Sequence, residues 1–318
     1  MAVRRSTLGP VASAVAAVLV LGLALGLAST GRGPGSAAAL ATGSPRVVAV
    51  VAAEDFWGSI AAQLGGAHAR VTSLVTSPDA DPHSYEPSAL DAARVATAQL
   101  VIDNGLGYDP WAGRLLGAGS SATVLDVGRL LGLVAGDNPH RWYDPADTTR
   151  VVAALAADLA RLDPADAAYF AARRAWFESS ALARYDGLIA AIRARYSGTP
   201  VGASESIFAM VAPALGLRVI TPPSFLKAIS EGSEVSAADK EAIDAQIRTG
   251  AIKVYVYNRQ NLTPDVSAQL GEVRARGIPA VAITETLSPA SATYQDWQAD
   301  QLAALESALA AATGRSPS

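Results

Sequence analysis

Not one of the 318 residues is cysteine. A disulfide framework, a thiolate metal site and a lipid-modified N-terminal cysteine are all excluded. Histidine is scarce as well, with three residues, His68, His83 and His140. The chain contains no HExxH and no GxSxG, so the local signatures of zinc peptidases and serine hydrolases are missing. A basic excess is also missing. The formal net charge is -4, and without Arg4, Arg5 and Arg32 the remainder carries 22 basic against 29 acidic residues, or -7. Such a body lacks the electrostatic footprint of nucleic-acid binding and suits a partner that is itself a cation.

What is present begins with an export-type leader. Arg4 and Arg5 precede an apolar run over residues 10–28, and small residues follow over 33–41. Residues 1–45 are expected to be a signal peptide or an N-terminal membrane anchor with its linker, because the run approaches the roughly 20 residues that span a bilayer. This places the protein outside the cytoplasm, periplasmic or anchored at the cell surface.

Behind the leader, short β-branched runs alternate with helical stretches at residues 46–52, 70–75, 99–103 and 123–127, and again at 200–203, 217–221, 252–257 and 278–283. Alternation of this kind predicts βα units and parallel sheets, hence an α/β fold of two similar lobes, 46–162 and 198–312. Between them, residues 163–197 are rich in Ala and Arg and hold no internal Gly or Pro from 165 until Gly187. One long helix over 164–196 would run roughly 50 Å and join the lobes. Two helices broken near Tyr185, Asp186 and Gly187 are the alternative. The last residues, 313–318, read as a disordered tail.

Two histidines share a local pattern: DPHSYEP at 81–87 and NPHRWYDP at 138–145. In each, proline stiffens the chain just ahead of the histidine, in a loop where a ligand can be mounted. Asp144 followed by Pro145 has the form of a helix N-cap and first helical residue. A neutral imidazole is the commonest side-chain ligand for borderline metals, and carboxylates can complete such a site. A loop histidine that only hydrogen-bonds its neighbours is the plainer reading of either residue alone. His68, in a turn ahead of a strand, reads as a surface residue, and Gly105-Leu106-Gly107 as a loop at a strand end that lacks the third glycine of a dinucleotide fingerprint.

DPHSYEP, NPHRWYDP, GASESIFAMVAPALGL at 202–217 and ITETLSP at 283–289 resemble the four metal-bearing stretches of the zinc/manganese-specific solute-binding proteins, the cluster A-I substrate-binding components of ABC importers. The resemblance runs in order over residues 46–310 and includes IDNGLGYDPW at 102–111. It implies two α/β lobes joined by one rigid helix, with a divalent metal in the cleft between them. Its implied ligands are His83 and His140 from the first lobe and Glu205 and Glu285 from the second. Asp79 and Asp81, close before His83, are placed either to orient its ring or to serve as turn residues. The implied cargo is one divalent transition metal, zinc or manganese, with iron also compatible. The implied partner is a membrane permease, the protein acting as a monomer and not as an enzyme. A secreted metal-dependent hydrolase is the competing reading, since a two-histidine, two-carboxylate site could activate water.

Overall fold

The computed structural model describes residues 47–77, 85–117 and 120–317. The expected leader, residues 1–45, lies outside them, as do Asp79, Asp81 and His83.

The first sheet is built from β1 (Val48–Glu54), β2 (Ala69–Val75), β3 (Leu100–Asp103) and β4 (Thr123–Asp126) in the order β2-β1-β3-β4. All its pairs are parallel. The second comprises β5 (Pro200–Ala203), β6 (Arg218–Val219), β7 (Val254–Asn258) and β8 (Ala280–Ile283) in the order β6-β5-β7-β8. It too is parallel throughout and repeats the winding of the first. The two central strands of the first sheet, VAVVAAE and LVID, are almost wholly buried. They read as apolar runs without alternation because helices cover both faces of a parallel sheet. β6 keeps only two paired residues of the run expected at 217–221, for it is an edge strand with Arg218 turned to solvent.

Helix α1 (Asp55–Gly65) follows β1 directly, α2 (Ala89–Thr97) precedes β3, and α3 (Pro110–Leu116) and α4 (Val127–Leu131) follow β3 and β4. Ser88 and Asp91 close α2 with a reciprocal capping box. The first lobe ends in α5 (Pro145–Leu162), whose cap Asp144 accepts from the amides of Ala146 and Asp147. This is the N-cap and N1 pairing expected of Asp144 and Pro145.

From Pro164 to Tyr196 the chain is helical except at Leu182. A 3-10 turn (Pro164–Asp166) leads into α6 (Ala167–Trp176), a π turn (Phe177–Ala181) and α7 (Ala183–Tyr196). The irregularity sits at the π turn, where the Leu182 amide donates to the Phe177 carbonyl at 3.1 Å. Gly187 lies inside α7 without breaking it. The second lobe adds α8 (Phe208–Val211), α9 (Pro223–Ser230), α10 (Ala237–Arg248), α11 (Pro264–Ala275) and α12 (Tyr294–Thr313).

Helix α12 packs along α7 and also reaches the first lobe. The Tyr294 amide donates to Ser59 Oγ at 2.9 Å, and its hydroxyl donates to the Trp142 carbonyl at 2.6 Å. Two elements therefore tie the lobes together where the sequence suggested one. One apolar cluster continues through both sheets, from Val48 and Phe56 to Val254 and Leu309, and a smaller one around Val51, Val101 and Trp111 fills the other face of the first sheet. Beyond α12, residues 313–318 were expected to be a disordered tail, but Arg195 Nη1 and the Tyr196 hydroxyl both donate to the Ser316 carbonyl, at 3.1 and 3.2 Å. These bonds hold the chain end against α7 as far as Ser316. Among the described residues, no helix is long and apolar enough to cross a membrane.

Candidate metal centre

In open parallel sheets, ligands bind beyond the carboxyl ends of the strands, at the point where strand order reverses. Both sheets reverse there between their two central strands, and the candidate residues cluster beyond those ends. Glu205 lies two residues past β5 and Glu285 two residues past β8. His140 stands immediately before a 3-10 turn (Arg141–Tyr143) that leads into α5. All three are buried, with relative exposures of 1% for His140, 1% for Glu205 and 4% for Glu285.

His140 Nδ1 lies 2.8 Å from Asn138 Oδ1. An amide oxygen can only accept, so with Asn138 in this orientation Nδ1 carries a proton, and in the neutral ring the lone pair is on Nε2. Nε2 faces the second lobe, 3.9 Å from Glu285 Oε2. Asn138 is itself anchored across the cleft, donating from Nδ2 to the Ser206 carbonyl at 2.8 Å. Trp142 and Tyr108 wall the imidazole at ring separations of 5.3 and 6.0 Å. A carboxylate or amide orienting the far nitrogen of an imidazole is the usual support of a metal-binding histidine.

The two carboxylates share a donor. Asn258, the last residue of β7, donates from Nδ2 to Glu285 Oε1 at 2.7 Å and also to Glu205 Oε1. Asn261 donates to Glu205 Oε2 at 2.9 Å, and the Tyr108 hydroxyl donates to Glu285 Oε2 at 2.8 Å. Burial, followed by the charge of Glu285, holds the Tyr108 phenol well above its ordinary range, so it stays a proton donor. The Glu285 amide donates to Gln260 Oε1 at 2.6 Å. Each carboxylate is thus aimed by neutral donors.

Tyr108 is delivered by the turn that was read as a strand-end loop. Gly105, Leu106 and Gly107 have φ of 70°, 60° and 84° in succession. Leu106 is the one residue of the three for which this conformation is costly. Asp109 secures the turn by accepting from the amides of Asn104 and Gly105 at 2.7 and 2.8 Å. Further carboxylates lie buried behind it. Burial raises Glu54 well above the carboxylate range, with Asp109 next in effect, and raises Asp103 to about 7. Burial likewise raises Asp55 to about 7, although its Oδ2 accepts from the Leu287 amide at 3.1 Å, beside the loop that bears Glu285.

A cleft of about 710 Å³ opens over this cluster, lined by Leu106, Asn138, Ser206, Lys227, Asn261 and Glu285 among others. The segment with His83 begins after Ser77, whose carbonyl accepts from Thr286 Oγ1 at 3.3 Å, and resumes at Tyr85, packed on Trp111 at 4.8 Å.

The structure therefore gathers three of the four sequence candidates, His140, Glu205 and Glu285, while His83 falls outside the described residues. Tyr108, Asn138, Asn258 and Asn261 were not singled out from the sequence. Tyr108 could have been, since it lies within IDNGLGYDPW. So could Asn138, which opens NPHRWYDP, whereas Asn258 and Asn261 have no local signature.

Residues 50–308 match the family model of the periplasmic zinc-uptake complex component A, ZnuA. The chain belongs to this family. Among characterised proteins it is similar to the iron-binding protein YfeA of Yersinia pestis, at 27% identity over 206 residues, covering 58% of this chain and 63% of that one. The matched stretch is less than two thirds of that relative's length. Among solved structures it resembles a periplasmic metal-binding protein of Candidatus Liberibacter asiaticus, with a TM-score of 0.68, 18% identity and coverage of 83% and 99% of the two chains. A ZnuA crystal structure superposes with a TM-score of 0.65 at 22% identity, over 86% of this chain and all of that one. These likenesses establish the ZnuA-type fold of two parallel α/β lobes.

Proposed function

We propose that this ZnuA-family chain captures one divalent transition metal in the cleft between its lobes and hands it to the membrane permease of an ABC importer. It acts outside the cytoplasm as a monomer and catalyses no reaction. The observation that carries this reading is the convergence of the His140 imidazole with the Glu205 and Glu285 carboxylates, all buried and all oriented by neutral side chains. Two hard anionic donors beside an imidazole suit a divalent first-row ion. His83 is the proposed fourth ligand, with Asp79 and Asp81 orienting its ring. The cargo is zinc or manganese, and iron suits the same donors. The relatives are consistent with that breadth, one being named for iron and solved neighbours for manganese and cadmium.

Delivery requires the lobes to part, and the mechanical layout limits how far. Because α12 packs along α7 and touches both lobes, separation is a small tilt rather than a wide hinge opening. Metal titration of chelator-stripped protein tests the proposal. Ion at about a thousand times its Kd adds roughly 4 kcal/mol of stability when the unfolded chain does not bind. A rise in Tm on adding zinc or manganese is expected, and it should be clearly smaller when Glu205→Ala is combined with Glu285→Ala. An unchanged Tm in the unsubstituted protein would overturn it.

A further inference from the structure

His68 was read as a surface residue, but it is one-fifth exposed and engaged. It closes a short 3-10 turn (Gly66–His68) between α1 and β2, and its Nδ1 lies 2.7 Å from Asp166 Oδ2. The Tyr169 ring packs on it with centroids 4.3 Å apart. Asp166 belongs to the turn between α5 and α6, and Asp163 sits across Pro164 from it. One ligand atom from each of His68, Asp163 and Asp166 lies within 4.8 Å of the other two.

A second observation separates this group from an ordinary ion pair. Asp163 is only 4% exposed, it does not cap the turn it precedes, and its Oδ2 accepts no hydrogen bond among the described residues. Neither aspartate pairs with a lysine or arginine there. A buried carboxylate oxygen without a donor is unfavourable, and a bound cation would supply the partner it lacks. Metal bonds of about 2.0–2.2 Å from nitrogen and carboxylate oxygen put neighbouring ligand atoms roughly 3.4 Å apart at a tetrahedral angle. Ligand atoms within 4.8 Å of one another reach that spacing with small side-chain adjustments, and Asp166 is exposed enough to make them.

We infer that His68, Asp163 and Asp166 form a second divalent-cation site, distinct from the cleft, with water completing the coordination. One imidazole and two carboxylates make a borderline-to-hard donor set, suited to zinc or cobalt. A bound ion would clamp the turn ahead of β2 to the foot of the interlobe helices. The inference stands independently of the cleft reading.

Equilibrium dialysis of the full chain, stripped with chelator and then exposed to zinc, counts the ions. The expected uptake is two per chain, falling to one in His68→Ala and in Asp166→Asn. The Glu205→Ala, Glu285→Ala double variant should also bind one, and Co²⁺ added to it should give an absorption band that His68→Ala, placed on top, removes. Melting curves verify that each variant is folded, and Asp166→Asn, which preserves shape, guards against a His68 variant that fails to fold. Uptake in His68→Ala and Asp166→Asn equal to that of the parent overturns the inference, as does a single ion lost only with the glutamates. A single ion lost only with His68 supports this site and counts against the cleft.

Discussion

Asn258 Nδ2 donates to Glu205 and Glu285 at once, so one neutral amide holds two buried carboxylates from different strand ends in a common orientation. The pairing makes Asn258 the keystone of the second lobe's half of the cleft. Without an ion, the amide dipole is one of the groups that offset repulsion between the acids. With an ion, it would fix how the two carboxylates face it.

Asn258→Ala therefore weakens the metal-free protein more than the loaded one. Hydrogen bonds to charged groups contribute about 1.5–3 kcal/mol each, and their loss leaves the two acids less well solvated. A fall in metal-free stability of about 2 kcal/mol is expected, with a larger gain in Tm on metal addition than in the parent. Paired melts with and without zinc measure both. A variant that loses stability equally in the two states would show that Asn258 acts only as a packing residue.

Glu205→His moves metal preference toward zinc. Glutamate supplies a hard anionic oxygen that can bind through one or both atoms and so accommodates the higher coordination manganese tolerates, whereas histidine supplies a softer neutral nitrogen. Chelator competition on parent and variant gives the ratio of zinc to manganese affinity, expected to rise at least tenfold. A constant ratio would place selectivity elsewhere.

Stability of the metal-free chain carries a contribution that grows as pH falls from 7 to 4. Asp55 and Asp103 are both raised by burial to about 7, against about 3.9 in an unfolded chain. Between those values the folded state holds protons that the unfolded state has released. Each group then adds a slope of up to about 1.4 kcal/mol per pH unit, favouring the fold at the acid end. Above 7 the contribution is flat and least favourable. Asp103→Asn should flatten the slope between pH 4 and 7 and raise stability at pH 8, as read from urea unfolding. A slope identical to the parent's would show that Asp103 ionises normally in the folded protein.

Tyr294→Phe tests the second bridge between the lobes. Its hydroxyl bonds the Trp142 carbonyl at 2.6 Å, two residues from His140. Removing it leaves that buried carbonyl without this donor, at a cost of about 1–3 kcal/mol. Metal dissociation should also quicken, because the His140 turn loses one of its side-chain fastenings to α12, keeping the Tyr143 hydroxyl bond to Gln301. Stopped-flow release to a chelator measures this, and an unchanged rate would confine Tyr294 to a stabilising role.

Most of the strands were legible from residues 46–283 because a parallel strand buried on both faces is a short β-branched run with turn residues after it. The run at 200–203 coincides with β5, while 217–221 shrinks to two residues at an exposed edge. The Pro-His loop at 138–145 was legible for a similar reason, since proline, histidine and an Asp-Pro cap state their conformations locally. Glu205 and Glu285 were reached through resemblance, because neither has a signature separating a ligand from a first-turn or loop carboxylate.

By itself, then, the sequence determined the α/β class and the doubled winding, which follow from local periodicity, and it marked the two Pro-His loops through their side-chain chemistry, whereas Glu205 and Glu285 came only through resemblance. Only the tertiary structure decided how those residues are held. Tyr108 meets Glu285 across 177 positions, and Asn258 meets Glu205 across 53. Such contacts depend on where strand ends converge, and an asparagine or tyrosine looks the same in sequence whether it faces solvent or a buried carboxylate. The same holds for α12, whose apolar residues announce a buried helix but not that it bridges two lobes. It holds too for His68, which joins Asp163 and Asp166 only because the turn ahead of β2 folds against the foot of α6.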